Sequence, residues 1–239
     1  YYPVTAKIAL QDDNLRLAVL NDRAQGGTSM QDGVLELMVH RRLLRDDAFG
    51  VGEALNETAY GLGLVARGKH YLLFDTVKEN KMVSVQARER FLQNQILTPA
   101  WKFLSDASDF DFETWQSSFN NAFSALSGSL PLNVNLLTFE PWKQAHSYLV
   151  RFEHLLEKDE DPLYSLPVTI DIEHLFGSFK IGSIKETTLA ANQWLEDATR
   201  LKFTADPVPI TEKVKSKVYE GVKITLKPME IRTFVIEMQ

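Results

Sequence analysis

The most informative stretch of this sequence is Tyr148-Leu149-Val150-Arg151-Phe152-Glu153-His154. Successive side chains of an extended chain point to opposite faces. The even-numbered side chains of this stretch are aromatic or aliphatic apart from His154, whereas the odd-numbered ones include Arg151 and Glu153. This alternation predicts a β-strand with one buried face.

The same two-residue period recurs along most of the chain. It is found at residues 15–19, 34–40, 62–66, 70–77, 168–172, 222–227 and 229–237. Residues 6–10 precede the turn-like Gln11-Asp12-Asp13-Asn14, so we expect them to form a hairpin with the strand that begins at Leu15. Many short strands separated by turns predict an all-β protein made of β-sandwich domains with one or two short helices.

Two segments have a helical rather than an extended pattern. Residues 87–93 are good helix formers and Pro99 bounds them, which predicts one short helix beside the sheets. Residues 105–129 are rich in serine and acidic residues and carry four aromatic side chains at near-helical spacing: Phe112, Trp115, Phe119 and Phe123. We expect this stripe to be the ring face of an amphipathic helix packed onto the sandwich. The alternative is an exposed surface that binds a partner or stacks on sugars.

These patterns divide the chain into three parts. We expect residues 1–103 to form a first β-sandwich region, residues 104–130 a variable aromatic and acidic insert, and residues 131–239 a C-terminal β-sandwich. Within the last part, residues 200–221 contain two prolines and a lysine-rich run, which predicts a long connecting loop.

The composition excludes several classes of protein. Hydrophobic residues make up 44% of the 239 residues, so the chain can bury a core. The net charge of −6 gives no electrostatic attraction to nucleic acid or to an anionic membrane, and no apolar run is long enough to span a bilayer. We therefore expect a soluble chain with neither of these partners.

The absence of cysteine excludes disulfides, thiolate catalysis and thiolate metal sites. The sequence begins at Tyr1 without a methionine, which favours an internal segment of a longer protein.

Few residues fall into a recognisable catalytic or metal-binding pattern. The five histidines, His40, His70, His146, His154 and His174, lack the spacing of metal ligands, and we expect surface or hydrogen-bonded core histidines. Asp46-Asp47 is the densest pair of carboxylates. A solvated turn that pairs with nearby arginines is favoured over a glycosidase pair, because such a pair cannot be inferred from spacing alone.

One short motif has a specific chemical meaning. Asn56-Glu57-Thr58 is an N-glycosylation sequon without a central proline, and it lies in a segment that we expect to be a loop. Asn56 is therefore a candidate glycosylation site.

Several longer blocks of the sequence resemble one known family. They are Asp22-Arg23-Ala24-Gln25-Gly26-Gly27, His40-Arg41-Arg42-Leu43-Leu44-Arg45-Asp46-Asp47, Glu186-Thr187-Thr188-Leu189-Ala190-Ala191-Asn192-Gln193 and Leu226-Lys227-Pro228-Met229-Glu230-Ile231-Arg232-Thr233-Phe234. Over residues 1–103 and 131–239 the chain resembles the C-terminal part of the lysosomal α-mannosidases, which are glycoside hydrolases of family 38. Residues 104–130 match no pattern of that family.

The resemblance implies a fold and a reaction. It implies β-sandwich domains that follow an N-terminal catalytic domain, and retaining, zinc-dependent hydrolysis of terminal α-linked mannose from N-glycan oligosaccharides in the lysosome. In this family two His and two Asp of the N-terminal domain hold the zinc, and Asp residues of that domain act as nucleophile and acid/base. The H-x-D motif of those ligands is absent here. The resemblance therefore implies no catalytic residue and no metal ligand in this chain.

The resemblance does imply a substrate contact. In this family an arginine of the Arg-Arg block reaches the rim of the active site, which corresponds to Arg41 or Arg42 here. The alternative is a buried ion-pair network of these arginines with Asp46 and Asp47. His40 favours the lysosomal branch, because Golgi-type relatives carry Asp at this position.

Together these observations give one expected function and its rivals. We expect the chain to scaffold the catalytic domain of a lysosomal α-mannosidase and to lend it a rim arginine. The expected partners are that N-terminal catalytic chain or domain, a mannose-containing oligosaccharide and further copies of the chain in a homo-oligomer. The rivals are a non-catalytic carbohydrate-binding or interaction module that uses the aromatic stripe, and a Golgi-type processing mannosidase.

Overall fold

The structure is a computed structural model that describes residues 1–50, 52–77, 82–120, 122–199 and 223–239. The regular elements of the described residues are fourteen β-strands, two α-helices and one short 3-10 helix (Leu195–Asp197), which confirms the all-β prediction. The chain divides into two compact units, Tyr1–Trp101 and Lys102–Gln239. The loop predicted over residues 200–221 lies outside the described residues. The separate insert over residues 104–130 stays a prediction.

The first unit contains short strands arranged in small antiparallel sheets. The strands are β1 (Tyr2–Val4), β2 (Lys7–Gln11), β3 (Leu15–Asn21), β4 (Gln25–Thr28), β5 (Glu36–Met38), β6 (Thr58–Ala59), β7 (Leu62–Gly63) and β8 (His70–Thr76). The sheet orders are β1-β4-β5 and β2-β3-β8, and β6 pairs with β7 in a hairpin. The predicted hairpin of β2 and β3 is confirmed. Its turn is held by Asp12 Oδ1, which accepts hydrogen bonds from the backbone N–H groups of Asn14 and Leu15, both at 2.7 Å.

Two predicted strands of the first unit are much shorter than their patterns. The strand predicted over residues 34–40 is only β5, because its partner β4 offers three paired residues. The strand predicted over residues 62–66 is only β7. The turn residues Tyr60 and Gly61 have positive φ values of 54° and 76°, which closes a tight hairpin on the two-residue strand β6. Alternation alone does not set strand length, because a strand also needs a partner.

The predicted helix of the first unit is α1 (Val85–Leu97). Ser84 caps its N-terminus, with the Ser84 side chain accepting from the backbone N–H of Ala87 at 3.0 Å. The helix buries Val85, Ala87 and Glu89. Among the described residues, neither helix of the chain has the length and hydropathy needed to cross a membrane.

The second unit is a sandwich of a four-stranded and a two-stranded antiparallel sheet. Its strands are β9 (Val134–Pro141), β10 (Ser147–His154), β11 (Val168–Asp171), β12 (Ile181–Thr187), β13 (Lys223–Leu226) and β14 (Ile231–Met238). The sheet orders are β12-β14-β10-β9 and β11-β13. The core between them includes Val150, Phe152 and Phe234 from the larger sheet and Ile170 and Ile224 from the smaller one, all 5% exposed or less. The buried face predicted for residues 148–154 is thus confirmed.

The aromatic segment of the second unit is helical only over α2 (Phe112–Ser118). Asp111 caps this helix, with Asp111 Oδ1 accepting from the Thr114 backbone N–H at 2.7 Å. No residue of α2 is buried, and Phe112 is 72% exposed. The Trp115 ring stacks on the rings of Phe112 and Phe119 at centroid distances of 6.5 and 6.1 Å. The expectation that this face packs onto the sandwich is wrong, because the rings contact one another instead.

Candidate functional site

The Arg-Arg block and the glycosylation sequon lie side by side in the first unit. The backbone N–H of Leu43 donates to the Leu55 carbonyl at 2.9 Å, which joins the two segments. The Arg42 side chain extends this contact, because Arg42 Nε donates to Asn56 Oδ1 at 2.6 Å. Two residues that the sequence singled out for unrelated reasons therefore share one hydrogen bond.

Gly63 of β7 leaves room for the Arg42 guanidinium. A Cβ atom at position 63 would lie 2.7 Å from Arg42 Nη1, closer than real Cβ contacts allow. The Asn56 hydrogen bond and the bare backbone of Gly63 together restrict the orientation of this side chain.

A cavity of about 220 Å³ opens beside the Arg42 guanidinium. It is lined by His40, Arg41, Arg42, Leu55, Glu57 and Leu64. An anchored guanidinium with further N–H groups at a cavity can donate hydrogen bonds to hydroxyl or carboxylate oxygens. The cavity has one carboxylate, that of Glu57. It therefore has the chemistry to orient a polar substrate, and it lacks the pair of carboxylates that a glycosidase needs.

The alternative role of the arginines as part of a buried ion-pair network is wrong. Arg41, Arg42, Asp46 and Asp47 are all exposed. Among the residues that the structure describes, no ion pair joins these arginines to these aspartates. Asp47 Oδ1 instead accepts from the backbone N–H of Phe49 at 3.1 Å. The predicted solvated turn is therefore present, but within the described ranges its aspartates do not pair with the nearby arginines.

Two of the five histidines, His154 and His70, are a hydrogen-bonded core side chain and a surface side chain. His154 is fully buried, and both of its ring nitrogens have partners: Nδ1 accepts from the Leu156 N–H at 3.2 Å, and Nε2 lies 3.0 Å from the Leu166 carbonyl oxygen. His70 is exposed and bonds Gln25 at 2.9 Å. Neither geometry leaves a histidine nitrogen in a metal-ligand cluster.

One group of metal-type side chains occurs within the described ranges, at Asp171, Glu173 and His174. His174 Nδ1 lies 3.2 Å from Asp171 Oδ2. Desolvation alone raises the pKa of Asp171, but the hydrogen bond from His174 and the charges of His174 and Lys223 outweigh it and lower that pKa. An adjacent lysine and an internal ion pair do not fit a resident cation, so we assign no metal to this group.

Sequence reasoning missed the residues that hold Arg42 in place. Leu55 and Gly63 act through a backbone carbonyl and a missing side chain, and neither feature distinguishes these residues in the sequence. The sequence did contain one indication of this contact, because the Arg-Arg block and the sequon lie close together in the chain and are joined by a loop.

Known proteins match this chain along its whole length. The family model described as "Glycosyl hydrolases family 38 C-terminal domain" matches residues 2–49, and the one described as "Glycosyl hydrolases family 38 C-terminal beta sandwich domain" matches residues 133–234. The lysosomal alpha-mannosidases of Cavia porcellus and Homo sapiens are 43% and 40% identical to it, and the alpha-mannosidase of Canavalia ensiformis is 33% identical. These alignments cover 99–100% of this chain but only 23–24% of each relative. The chain therefore belongs to the glycoside hydrolases of family 38, as a part of their C-terminal region.

Proposed function

We propose that this chain is the C-terminal part of a lysosomal, retaining α-mannosidase that removes terminal α-linked mannose from N-glycan oligosaccharides. In this proposal the chain scaffolds an N-terminal catalytic part and lends it one arginine. The observation that carries it is the anchored Arg42 guanidinium at a cavity, in a chain that aligns from end to end with α-mannosidases.

Arg42 is the better candidate of the two arginines. Its Nε is held by Asn56 and its guanidinium lies against Gly63, whereas Arg41 has no such anchor among the described contacts. A guanidinium that is already oriented loses less conformational freedom when it binds sugar hydroxyls. Arg41 lines the same cavity and supplies a second positive charge.

The zinc ion of this proposal belongs to the N-terminal part. The one carboxylate and histidine cluster among the described residues does not fit a resident cation, as its geometry and charges indicate. Zinc would polarise and position the sugar hydroxyls at the catalytic carboxylates. The role of this chain is to place Arg42 beside that centre.

An apolar sheet face supports the scaffolding role. On the β2-β3-β8 sheet, Leu17 is paired with Phe74 and Val19 with Leu72. Leu72 is 72% exposed and Phe74 is 65% exposed, which is unusual for neighbouring apolar side chains on one sheet face. We expect the N-terminal part of the enzyme to cover this face.

Separate expression of the two parts tests the proposal. The chain alone should not hydrolyse an aryl α-mannoside, and adding the N-terminal part should restore hydrolysis. The double variant Leu72→Ser/Phe74→Ser should keep the circular dichroism of the chain but weaken this restoration at least tenfold. Hydrolysis by the purified chain alone would refute the proposal.

Variants of the two arginines test the substrate contact. In the complete enzyme, Arg42→Ala should lower kcat/KM for an aryl α-mannoside about 10- to 100-fold, because one charge-assisted hydrogen bond is lost. Arg42→Lys should recover only part of this, because an ammonium cannot reproduce the planar donor fork. Arg41→Ala serves as the matched control and should change kcat/KM about threefold or less. A larger effect at Arg41 than at Arg42 would reverse the assignment.

Asn56 is also proposed to carry an N-glycan. It is exposed, and the glycan joins Nδ2 while Arg42 contacts Oδ1, so both interactions can coexist. Thr58→Ala removes the sequon but keeps the Arg42 contact, whereas Asn56→Gln disturbs both. The intact mass should fall in both variants, and kcat/KM should fall only in Asn56→Gln. An unchanged mass in Thr58→Ala would show that the site carries no glycan.

A specific observation favours a second candidate function, a carbohydrate-binding or interaction module. The rings of α2 are exposed rather than packed, and exposed aromatic rings can stack on sugars. Saturable binding of mannose oligosaccharides that is lost in Trp115→Ala would support this candidate. Binding that Trp115→Ala leaves unchanged would exclude the aromatic stripe as the binding surface.

A further inference from the structure

A second cavity, of about 320 Å³, lies in the second unit on the outer face of the four-stranded sheet. Val235 of β14 and Ala191 form its floor and pack against Leu149 of β10. Leu149 and Val235 are register partners. Their chain neighbours Val150 and Phe234 point to the opposite face and belong to the sandwich core. The cavity is therefore separate from that core, although its floor is buried and apolar.

Two tryptophans form the walls of this cavity. Trp142 follows β9 and Trp194 follows β12, and both are half-buried against the floor. Each backbone is fixed: the Trp142 N–H donates to the Ser147 carbonyl at 2.7 Å, and Trp194 forms a β-bridge with Thr187. The walls are thus held by the sheet rather than by a loose loop.

The tryptophan rings are accessible to positively polarised groups. Lys143 Nζ lies 5.1 Å from the Trp142 ring centre, and Lys185 Nζ lies 4.4 Å from that of Trp194. The electron-rich face of an aromatic ring attracts cations, and it attracts the polarised C–H groups of a pyranose for the same reason. Lys143 lines the cavity and is exposed, so a sugar ring can replace it on the Trp142 ring.

Planar polar groups line the mouth of the cavity. They come from Gln144, Asn192, Gln193 and Glu237. Asn192 Oδ1 accepts from Thr188 Oγ1 at 2.7 Å. This hydrogen bond fixes the amide, and the Nδ2 group of Asn192 takes no part in it. Amides and carboxylates at an aromatic wall are the groups that recognise vicinal hydroxyls.

The charges around the cavity favour a neutral ligand. Lys143 and Glu237 both line the cavity and have opposite charge, and the nearby Lys185 is paired with Glu196 at 2.6 Å. No net charge is left to select an anion or a cation. The volume lies at the lower end of the range for small-ligand pockets, about 300–1,000 Å³, which suits a short saccharide.

We propose that this cavity, the tryptophan pocket, binds a neutral saccharide of one or two pyranose rings. Trp142 and Trp194 would contact the C–H faces of the rings, and Asn192, Gln193 and Glu237 would bond their hydroxyls. The inference does not depend on α-mannosidase activity, because it requires only residues of the second unit and is tested by binding without hydrolysis.

Titration of the full chain with α-linked mannobiose tests this proposal. Calorimetry and tryptophan fluorescence should both show saturable binding in the millimolar range or tighter, since two of the four tryptophans line the pocket. Trp194→Ala should abolish binding. Asn192→Ala changes an exposed side chain, so it should leave the fold intact and weaken binding about 3- to 10-fold, the value of one neutral hydrogen bond.

Trp101→Ala is the matched control, because it removes an exposed tryptophan outside the pocket and should leave the affinity unchanged. Three results would overturn the proposal. They are no saturable binding by the unaltered chain, an affinity in Asn192→Ala and Trp194→Ala equal to that of the unaltered chain, and loss of binding in Trp115→Ala. Binding by the chain but not by the complete enzyme would also overturn it, because it would show that another part of the enzyme covers the pocket.

Discussion

Glu89 of α1 is a buried charged residue of the first unit. Its side chain is 0% exposed, yet it is a carboxylate on a helix. Arg16 Nε and Nη2 donate to its two oxygens at 2.5 and 2.9 Å, and Lys7 Nζ donates to Oε2 at 2.7 Å. Since the carboxylate is paired with two cations and hydrogen-bonded on both oxygens, its burial is compensated.

The Glu89 cluster makes a prediction about stability. Glu89→Gln should lower the free energy of unfolding by about 3 kcal/mol, because it leaves two partly buried cations without their counter-charge. Glu36→Gln, which removes an exposed carboxylate in the same unit, should change it by less than about 0.5 kcal/mol. Urea denaturation at pH 7 measures both values. Equal effects in the two variants would contradict the prediction.

The same cluster predicts a pH dependence with a definite sign. Desolvation raises the pKa of Glu89, but hydrogen bonds and charges from Arg16 and Lys7 outweigh it and hold that pKa below its ordinary value. The stabilisation is therefore complete above the unfolded-state value of about 4.3 and is lost as the pH falls through the lower folded-state pKa. The difference between the unaltered chain and Glu89→Gln should be constant from pH 7 to pH 5 and should shrink below about pH 4. A difference that already shrinks between pH 7 and pH 5 would contradict this.

At the scale of elements, the buried face of residues 148–154 could be predicted from the sequence, but that of residues 15–19 could not. The alternation of residues 15–19 places Leu15, Leu17 and Val19 on one side, which an ordinary interpretation would bury. The structure instead buries Ala18 and Leu20 on the other side of the strand. Arg16 lies on that side too and is half-buried, because its guanidinium is paired with Glu89 of α1. Burial of a paired charge depends on partners distant in sequence, which local patterns do not contain.

The same limit explains what was missed at the candidate sites. The Arg-Arg block and the sequon were recognisable as motifs, but their hydrogen bond depends on the backbone contact between Leu43 and Leu55, which the sequence does not show. Trp142 and Trp194 lie far apart in the chain and line one cavity only because the sheet order β12-β14-β10-β9 brings their segments to the same face. The aromatic stripe is helical only at Phe112 and Trp115, and its packing was not predicted, since periodicity does not show whether a partner surface exists.

The β1-β4-β5 sheet supplies a prediction at this scale. A Cβ on Gly27 would lie 2.6 Å from Val4 Cγ2 and 3.1 Å from Leu37 Cδ2, whereas a Cβ on Gly26 would meet its nearest atom at 3.5 Å. Gly27→Ala should therefore lower the free energy of unfolding by about 1–3 kcal/mol through overpacking. Gly26→Ala is the adjacent control and should cost less than about 1 kcal/mol. The two can be compared by thermal denaturation, and a greater loss at Gly26 would contradict the argument.

At the scale of the whole molecule, net charge and exposed apolar surface both affect how strongly copies of the chain associate. The net charge is −6 at pH 7 and approaches zero near pH 5.4. Repulsion between copies therefore weakens as the solution is acidified. Leu104 and Phe112 of the aromatic segment are 100% and 72% exposed, so they can contact a second copy once repulsion is removed.

We therefore expect the chain to self-associate more strongly at pH 5.4 than at pH 7. Sedimentation velocity at both values should show a larger weight-average sedimentation coefficient at the lower pH. The double variant Leu104→Ser/Phe112→Ser should remove most of this increase, because it deletes the apolar contact and leaves the net charge unchanged. Phe49→Ser is the control, since Phe49 is 92% exposed but lies in the first unit. The same coefficient at both pH values, or an equal reduction by Phe49→Ser, would show that the aromatic segment does not drive association.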